Sequence, residues 1–286
     1  MLPSNKMKQY SYYWLLLGIF ILAGESSAGG ISVDAGLTPA ENRWMIRVQS
    51  RQMGASSQPS TPARQMKVQA NVLMAAYGLR PNITLIGMQG WMNREMTMMG
   101  AVNESSGRAD LNLIIKYLIH RTNTRDQTLG IAATTKLTLP TGEVGFSDDY
   151  WSFTPGVYLS LRRGTWAMDA STTYRIQDMF SQQDAMDRGW EYTLDGAVAR
   201  QLPLGGLKNM ALAPVLEFNL LVDQGDHSSS AEPSDTESVV FLSPGFKYTY
   251  GSMILESLIQ VPVWESVPIT SLEKEVRWRV GLRLMF

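Results

Sequence analysis

From Arg43 to Phe286 apolar and polar side chains alternate in runs of about ten residues, and a period of two gives a strand one apolar and one polar face. The last run is the clearest. Val276, Trp278, Val280, Leu282, Leu284 and Phe286 fall on one face, and Arg277, Arg279, Gly281, Arg283 and Met285 on the other. A helix would mix the two sets around its circumference. Twelve such runs can be read, at 43–52, 65–78, 83–97, 108–120, 127–139, 150–162, 165–178, 190–202, 210–223, 237–250, 252–264 and 274–286. In 83–97 Met and Gly blur the period. Short turns at 79–82, 162–164 and 250–252 alternate with long polar loops around 53–64, 98–107, 140–149, 179–189, 224–236 and 265–273. An even strand count with short turns on one side and long loops on the other predicts an all-β fold. The architecture expected is a transmembrane antiparallel up-and-down β-barrel of about twelve strands, with the short turns in the periplasm.

Energetics decides which face meets lipid. An arginine at mid-membrane on the lipid face costs roughly 2–4 kcal/mol, so three on one strand must look into the lumen. A soluble β-sandwich would explain the alternation but neither the two loop classes nor the start of the chain. There, Lys6 and Lys8 precede an apolar stretch, Tyr12 to Ala23, too short to span a bilayer, and Ser26-Ser27-Ala28 supplies small residues for cleavage. Residues 1–28 are read as an export signal, 29–42 as an N-terminal periplasmic segment and 43–286 as the barrel, placing the protein in the bacterial outer membrane. Composition narrows function: 44% hydrophobic against 18% charged residues, a net charge of −1 and no basic run argue against nucleic acid as a partner. The absence of cysteine rules out thiolate chemistry, and only two histidines, His120 and His227, neither in a nucleophile-elbow context, leave zinc and triad chemistries poorly supplied, so no enzyme activity and no cofactor are expected.

The inward charges are the candidate site. Parity places Arg47, Arg51, Lys67, Asp110, Lys116, Lys136, Asp169, Arg175, Glu191, Asp195, Glu217, Lys247, Glu256, Arg277, Arg279 and Arg283 in the lumen, with acids mainly on the runs from 165 to 264. Arg277, Arg279 and Arg283 form a vertical ladder that should recruit Glu256 and Glu217 as partners. Such charges either fill the lumen with salt bridges or set a selectivity constriction. Met92, Met96 and Met98, in the methionine-rich stretch from Met88 to Met99, offer soft sulfur suited to Cu(I), although Met is more often a flexible apolar filler.

Four segments carry a resemblance. Tyr77-Gly78-Leu79-Arg80-Pro81-Asn82-Ile83-Thr84-Leu85, Gly107-Arg108-Ala109-Asp110-Leu111-Asn112-Leu113 leading to Lys116-Tyr117, Leu137-Thr138-Leu139-Pro140-Thr141-Gly142, and the terminal strand ending in Phe286 resemble the outer-membrane transporters of the phenol meta-pathway family. That resemblance implies an exported barrel taking up small organic compounds, aromatic or hydrophobic ones among them. It also implies that Phe286, with Leu284 and Leu282, resembles the signal read by the barrel-assembly machinery. The expected partners are outer-membrane lipid, that machinery and a small organic solute. The methionine cluster departs from what a simple aromatic-compound transporter needs. Two other readings stand beside the channel: a structural or surface-binding barrel with a sealed lumen, and a copper-linked outer-membrane protein.

Overall fold

The computed structural model describes residues 29–58, 63–177, 189–204, 210–224, 236–268 and 271–286. The segment assigned to the export signal therefore lies outside the described residues. Among the described residues fifteen strands make one antiparallel sheet: β1 (Trp44–Ser57), β2 (Arg64–Arg80), β3 (Ile83–Met98), β4 (Ala101–Arg108), β5 (Leu111–Asn123), β6 (Gln127–Leu139), β7 (Ser152–Arg163), β8 (Trp166–Ile176), β9 (Trp190–Arg200), β10 (Leu202–Pro203), β11 (Met210–Gln224), β12 (Thr236–Tyr250), β13 (Met253–Ser266), β14 (Leu272–Lys274) and β15 (Arg277–Met285). Three of them continue a neighbour across a short break: β4 into β5, β9 into β10 and β14 into β15. The wall thus has twelve strands. It closes where β15 pairs with β1 from Met45↔Met285 to Gln52↔Trp278. Closure leaves no strand edge exposed to lipid, which a barrel in hydrocarbon requires.

The outward face follows the parity read from the sequence. Trp44, Val48, Val280, Val276, Leu255, Ile115 and Val157 are exposed, while their neighbours Arg47, Gln49, Glu256, Lys116 and Tyr158 are buried. Aromatic rings mark the two ends of the apolar band. Trp44 packs on Tyr77 with ring centroids 4.7 Å apart at the short-turn end, and Tyr174 stacks on Trp190 at 5.7 Å at the long-loop end. Trp44 and Trp278 stand eight residues apart on the paired β1–β15 register, roughly 20 Å of membrane height for a strand tilted by about 40°.

Strand β2 corrects one expectation. Ala70 and Ala76 are buried while Lys67, Gln69 and Asn71 are exposed, so Lys67 faces outward, where it pairs with Glu95 at 3.3 Å. The upper half of β2 is inverted, apolar inside and polar outside. It stands at and above the level of exposed Trp91, which pairs with Asn71, so its outer face meets headgroups and water rather than acyl chains. The same parity settles β3: Met88, Met92 and Met96 face the lumen.

The other difference lies before β1. Residues 29–42, expected in the periplasm, run largely inside the wall: Ile31 is 1% and Val33 5% exposed. Ile31 forms a small core with Ala167, Ala199, Ala213, Val215 and Leu258. The segment enters from the short-turn end beside Gly78, where a Cβ would collide with the carbonyl of Ala40. Asn42 N–H donates to Gly78 O at 2.8 Å and Gly78 N–H to Arg43 O at 3.0 Å, and the Tyr77 hydroxyl donates to Asn42 at 2.9 Å.

Candidate functional site

The segment inside the barrel has almost no secondary structure, so its amides need other partners. The wall supplies them as side chains. Glu217 accepts the N–H groups of Ile31 and Ser32 and the Ser32 hydroxyl. Asp169 accepts Gly30 N–H at 2.7 Å and Ser160 accepts Gly36 N–H at 2.8 Å. Lys247 donates to the carbonyls of Gly29 and Gly30, Arg47 to that of Ile31, and Lys116 to that of Ala35 at 2.6 Å. Carboxylates meet N–H groups and cations meet carbonyls. The lumen charges therefore act here on backbone dipoles as much as on one another.

Arg283 donates to Glu256 at 3.1 Å, and Arg47 binds the other oxygen of the same carboxylate. Arg47 and Arg283 are cross-strand partners, so one buried acid serves two facing cations. Glu217, expected beside the arginine ladder, instead holds the N-terminal segment. Arg279 donates through Nε to the amide oxygen of Gln260 at 3.0 Å, and Arg277 stands over the Phe241 ring at 4.6 Å. Asp169 pairs with Arg162 at 2.9 Å, and Asp195 accepts from Asn219 at 2.9 Å. Arg175 pairs with Asp148 of the loop after β6. Lys136 faces the lumen on β6, on the side of Thr134 and Thr138. The uncharged partners Gln49, Gln260 and Asn219 carry no signal in the sequence, because an amide on an inward position has no charge to flag it. Leu282, Leu284 and Phe286 face outward at the closing seam, where Phe286 and Trp44 exchange both backbone hydrogen bonds at 2.8 and 3.1 Å.

The second and third resembling segments meet at the long-loop mouth. Asp110 accepts the N–H groups of Gly142 at 2.8 Å and Asp148 at 2.9 Å, and Arg108 donates to Thr141 O at 2.9 Å. Phe146 lies under Arg94 at 5.1 Å and against Gly107, so loop 140–149 folds inward over the lumen.

The opposite wall is largely apolar, with Thr84 and Arg94 as the polar residues on the inward face of β3. Strand β2 turns Met66, Val68, Ala70, Val72 and Met74 inward, and β3 turns Ile86, Met88, Met92 and Met96 inward, with Met66↔Met96, Ala70↔Met92 and Met74↔Met88 in register. Met92 and Met96 stand roughly 13 Å apart along the strand, a lining rather than a chelate. Met98 is 49% exposed at the outer end. Between this wall and the N-terminal segment a cavity of about 480 Å³ opens, lined by Met74, Ile86, Ile114, Tyr158, Lys116 and Arg283. It is roughly the size of a pocket for one small organic molecule.

A family model described as "Putative MetA-pathway of phenol degradation" matches residues 54–261, well over half of the chain. The chain belongs to this family. Among solved structures it is similar to the COG4313 outer membrane channel from Pseudomonas putida F1, with 14% identity, a TM-score of 0.63 and coverage of 91% of this chain and 100% of that one. It is also similar to the β domain of the Bordetella autotransporter Brka, with 13% identity, a TM-score of 0.52 and coverage of 87% and 100%. At such identities the likeness is one of fold, that of an outer-membrane barrel. No curated protein matches the chain in sequence.

Proposed function

We propose that this family member is an outer-membrane channel for small organic compounds with substantial apolar surface, and that solute passes along the β2–β3 wall beside the N-terminal segment. One observation carries the reading: the cavity of about 480 Å³ has an apolar side, Met74, Ile86 and Ile114, facing the lumen cations Arg47, Lys116, Lys247 and Arg283, where a channel for hydrophilic solutes would be polar throughout. The family match and the likeness to an outer membrane channel of Pseudomonas putida support it. Side chains that polarise neither a nucleophile nor a metal suit passage rather than chemistry. The outward Leu282, Leu284 and Phe286 belong to the same reading as the surface presented to the assembly machinery.

Purified protein in planar bilayers should give discrete current steps, and adding phenol should interrupt them in a concentration-dependent way. A Met88→Asp, Met92→Asp double variant should lose the interruption while keeping the steps, because two charges would then line the apolar path. Absence of steps at any voltage would defeat the channel reading in favour of a sealed structural barrel, and interruption unaltered in the variant would move the path away from β2–β3.

A further inference from the structure

The β1–β15 seam carries two facing arginine pairs on the inner surface, Arg47↔Arg283 and, four residues nearer the long loops, Arg51↔Arg279. Cross-strand partners have Cα atoms about 4.5–5.5 Å apart, and like charges directly opposite each other repel. The lower pair shows how the fold resolves this. Glu256, 2% exposed, gives one oxygen to Arg47 and the other to Arg283.

The upper pair has no such acid. Arg51 donates only its Nε, to the Gln49 amide oxygen at 2.7 Å, and Arg279 only its Nε, to the Gln260 amide oxygen at 3.0 Å. Both amides are fixed from behind: Gln49 donates to Glu256 at 3.3 Å and Gln260 to Asn219 at 3.1 Å. Each guanidinium is thus aimed by a neutral relay that occupies its inner nitrogen and leaves the terminal nitrogens without a hydrogen-bond or ion-pair partner among the described residues. Nearby acids are engaged elsewhere, Glu217 by the N-terminal segment and Asp195 by Asn219 and Ser171. Asp34, exposed on the N-terminal segment, attracts Arg51 from a distance, and among the described residues no ion pair joins it to either arginine.

On the same rung Arg51 is followed by Ala70 and then Met92, so the methionine wall begins beside the unpaired cations. A ligand lying there meets two guanidinium forks at one end and thioethers and methyl groups along its length. Guanidinium forks match the geometry of a carboxylate, and methionine sulfur accommodates an aromatic ring.

We propose that Arg51 and Arg279 form a carboxylate-binding site in the long-loop half of the lumen, and that it takes a small organic acid whose apolar or aromatic body lies on the β2–β3 wall. The site refines the solute class of the channel and rests on that reading for passage, though not for binding.

Sodium benzoate and benzyl alcohol, which share a ring and differ in the charged group, separate the possibilities. In isothermal titration of the detergent-purified barrel, benzoate should bind and benzyl alcohol should neither bind comparably nor displace it. Arg51→Gln and Arg279→Gln should each weaken benzoate at least about ten-fold, the scale of a lost charged hydrogen bond. Asp34→Asn, which removes a competing negative charge, should strengthen it. Benzoate affinity unchanged in both glutamine variants, or equal binding of the alcohol by the unaltered protein, would overturn the site. Heat-modifiable mobility checks folding. Should a glutamine variant fail that check, Arg279→Lys, which keeps the charge and loses the fork, takes its place: weakened benzoate supports the site, and unchanged benzoate overturns it. Benzoate binding by a barrel without current steps would remove the channel and keep the site, whereas steps without benzoate binding would do the reverse.

Discussion

Strands β2 and β3 turn Met66, Val68, Ala70, Met74, Met88 and Met92 into the lumen, whereas strands β8 to β13 turn in Asp169, Asp195, Glu217, Lys247 and Glu256. Inside the lumen the N-terminal segment bonds to Asp169, Glu217 and Lys247 of the second wall and to Arg47, Lys116 and Ser160 between the two walls, and the cavity beside it reaches Met74 and Ile86 of the first. An irregular backbone inside a barrel carries polar N–H and C=O groups that must be satisfied, and only a polar wall can do so. An apolar wall has nothing to offer that backbone, and the space beside it stays free for a solute that needs no hydrogen bonds. The contrast between the walls thus explains why the segment takes its hydrogen bonds inside the lumen from the charged strands and none from the methionines of β2 and β3.

The contrast can be broken most severely at Glu256. Glu256→Ala strips Arg47 and Arg283 of their shared buried acid, and breaking a buried pair by removing one partner costs about 3–5 kcal/mol. The variant should unfold at a markedly lower temperature in detergent. A melting temperature equal to that of the unaltered protein would mean that the ionic wall is not held by this acid.

A smaller effect is expected where the N-terminal segment crosses the rim. A side chain at Gly78 meets the carbonyls of Ala40 and Pro39, so Gly78→Val should push the segment from its path while leaving the strand able to pair. Conductance should rise severalfold with the barrel still heat-modifiable. Unchanged conductance would show that the segment does not limit passage. The least effect belongs outside both walls: Lys67 and Glu95 form an exposed outward pair, and Lys67→Ala should alter stability by less than about 1 kcal/mol. A larger loss in thermal unfolding would contradict the outward assignment of β2.

The barrel is legible in the chain alone, because lipid imposes a rule that every strand must obey locally. A residue facing hydrocarbon must be apolar, its neighbour is thereby free to be polar, and Val276 to Phe286 display this without reference to any other part of the chain. Parity alone also puts Arg279 and Arg283 inside. It fails at Lys67, where the strand has risen beyond the apolar band and the rule no longer applies.

Which side chains meet is settled only when the chain closes on itself. Arg47 and Glu256 are brought together by the closure of β15 onto β1, and neither closure nor register is written in an alternating pattern. Residues 29–38, with glycines at 29, 30 and 36 and no period of two, give no sign of a place inside the wall, because their binding runs through backbone groups that every sequence possesses. The free arginine pair is likewise invisible in one dimension. Arg47 and Arg51 look alike in sequence, and only the position of a carboxylate two strands away distinguishes a cation that is already paired from one that is available.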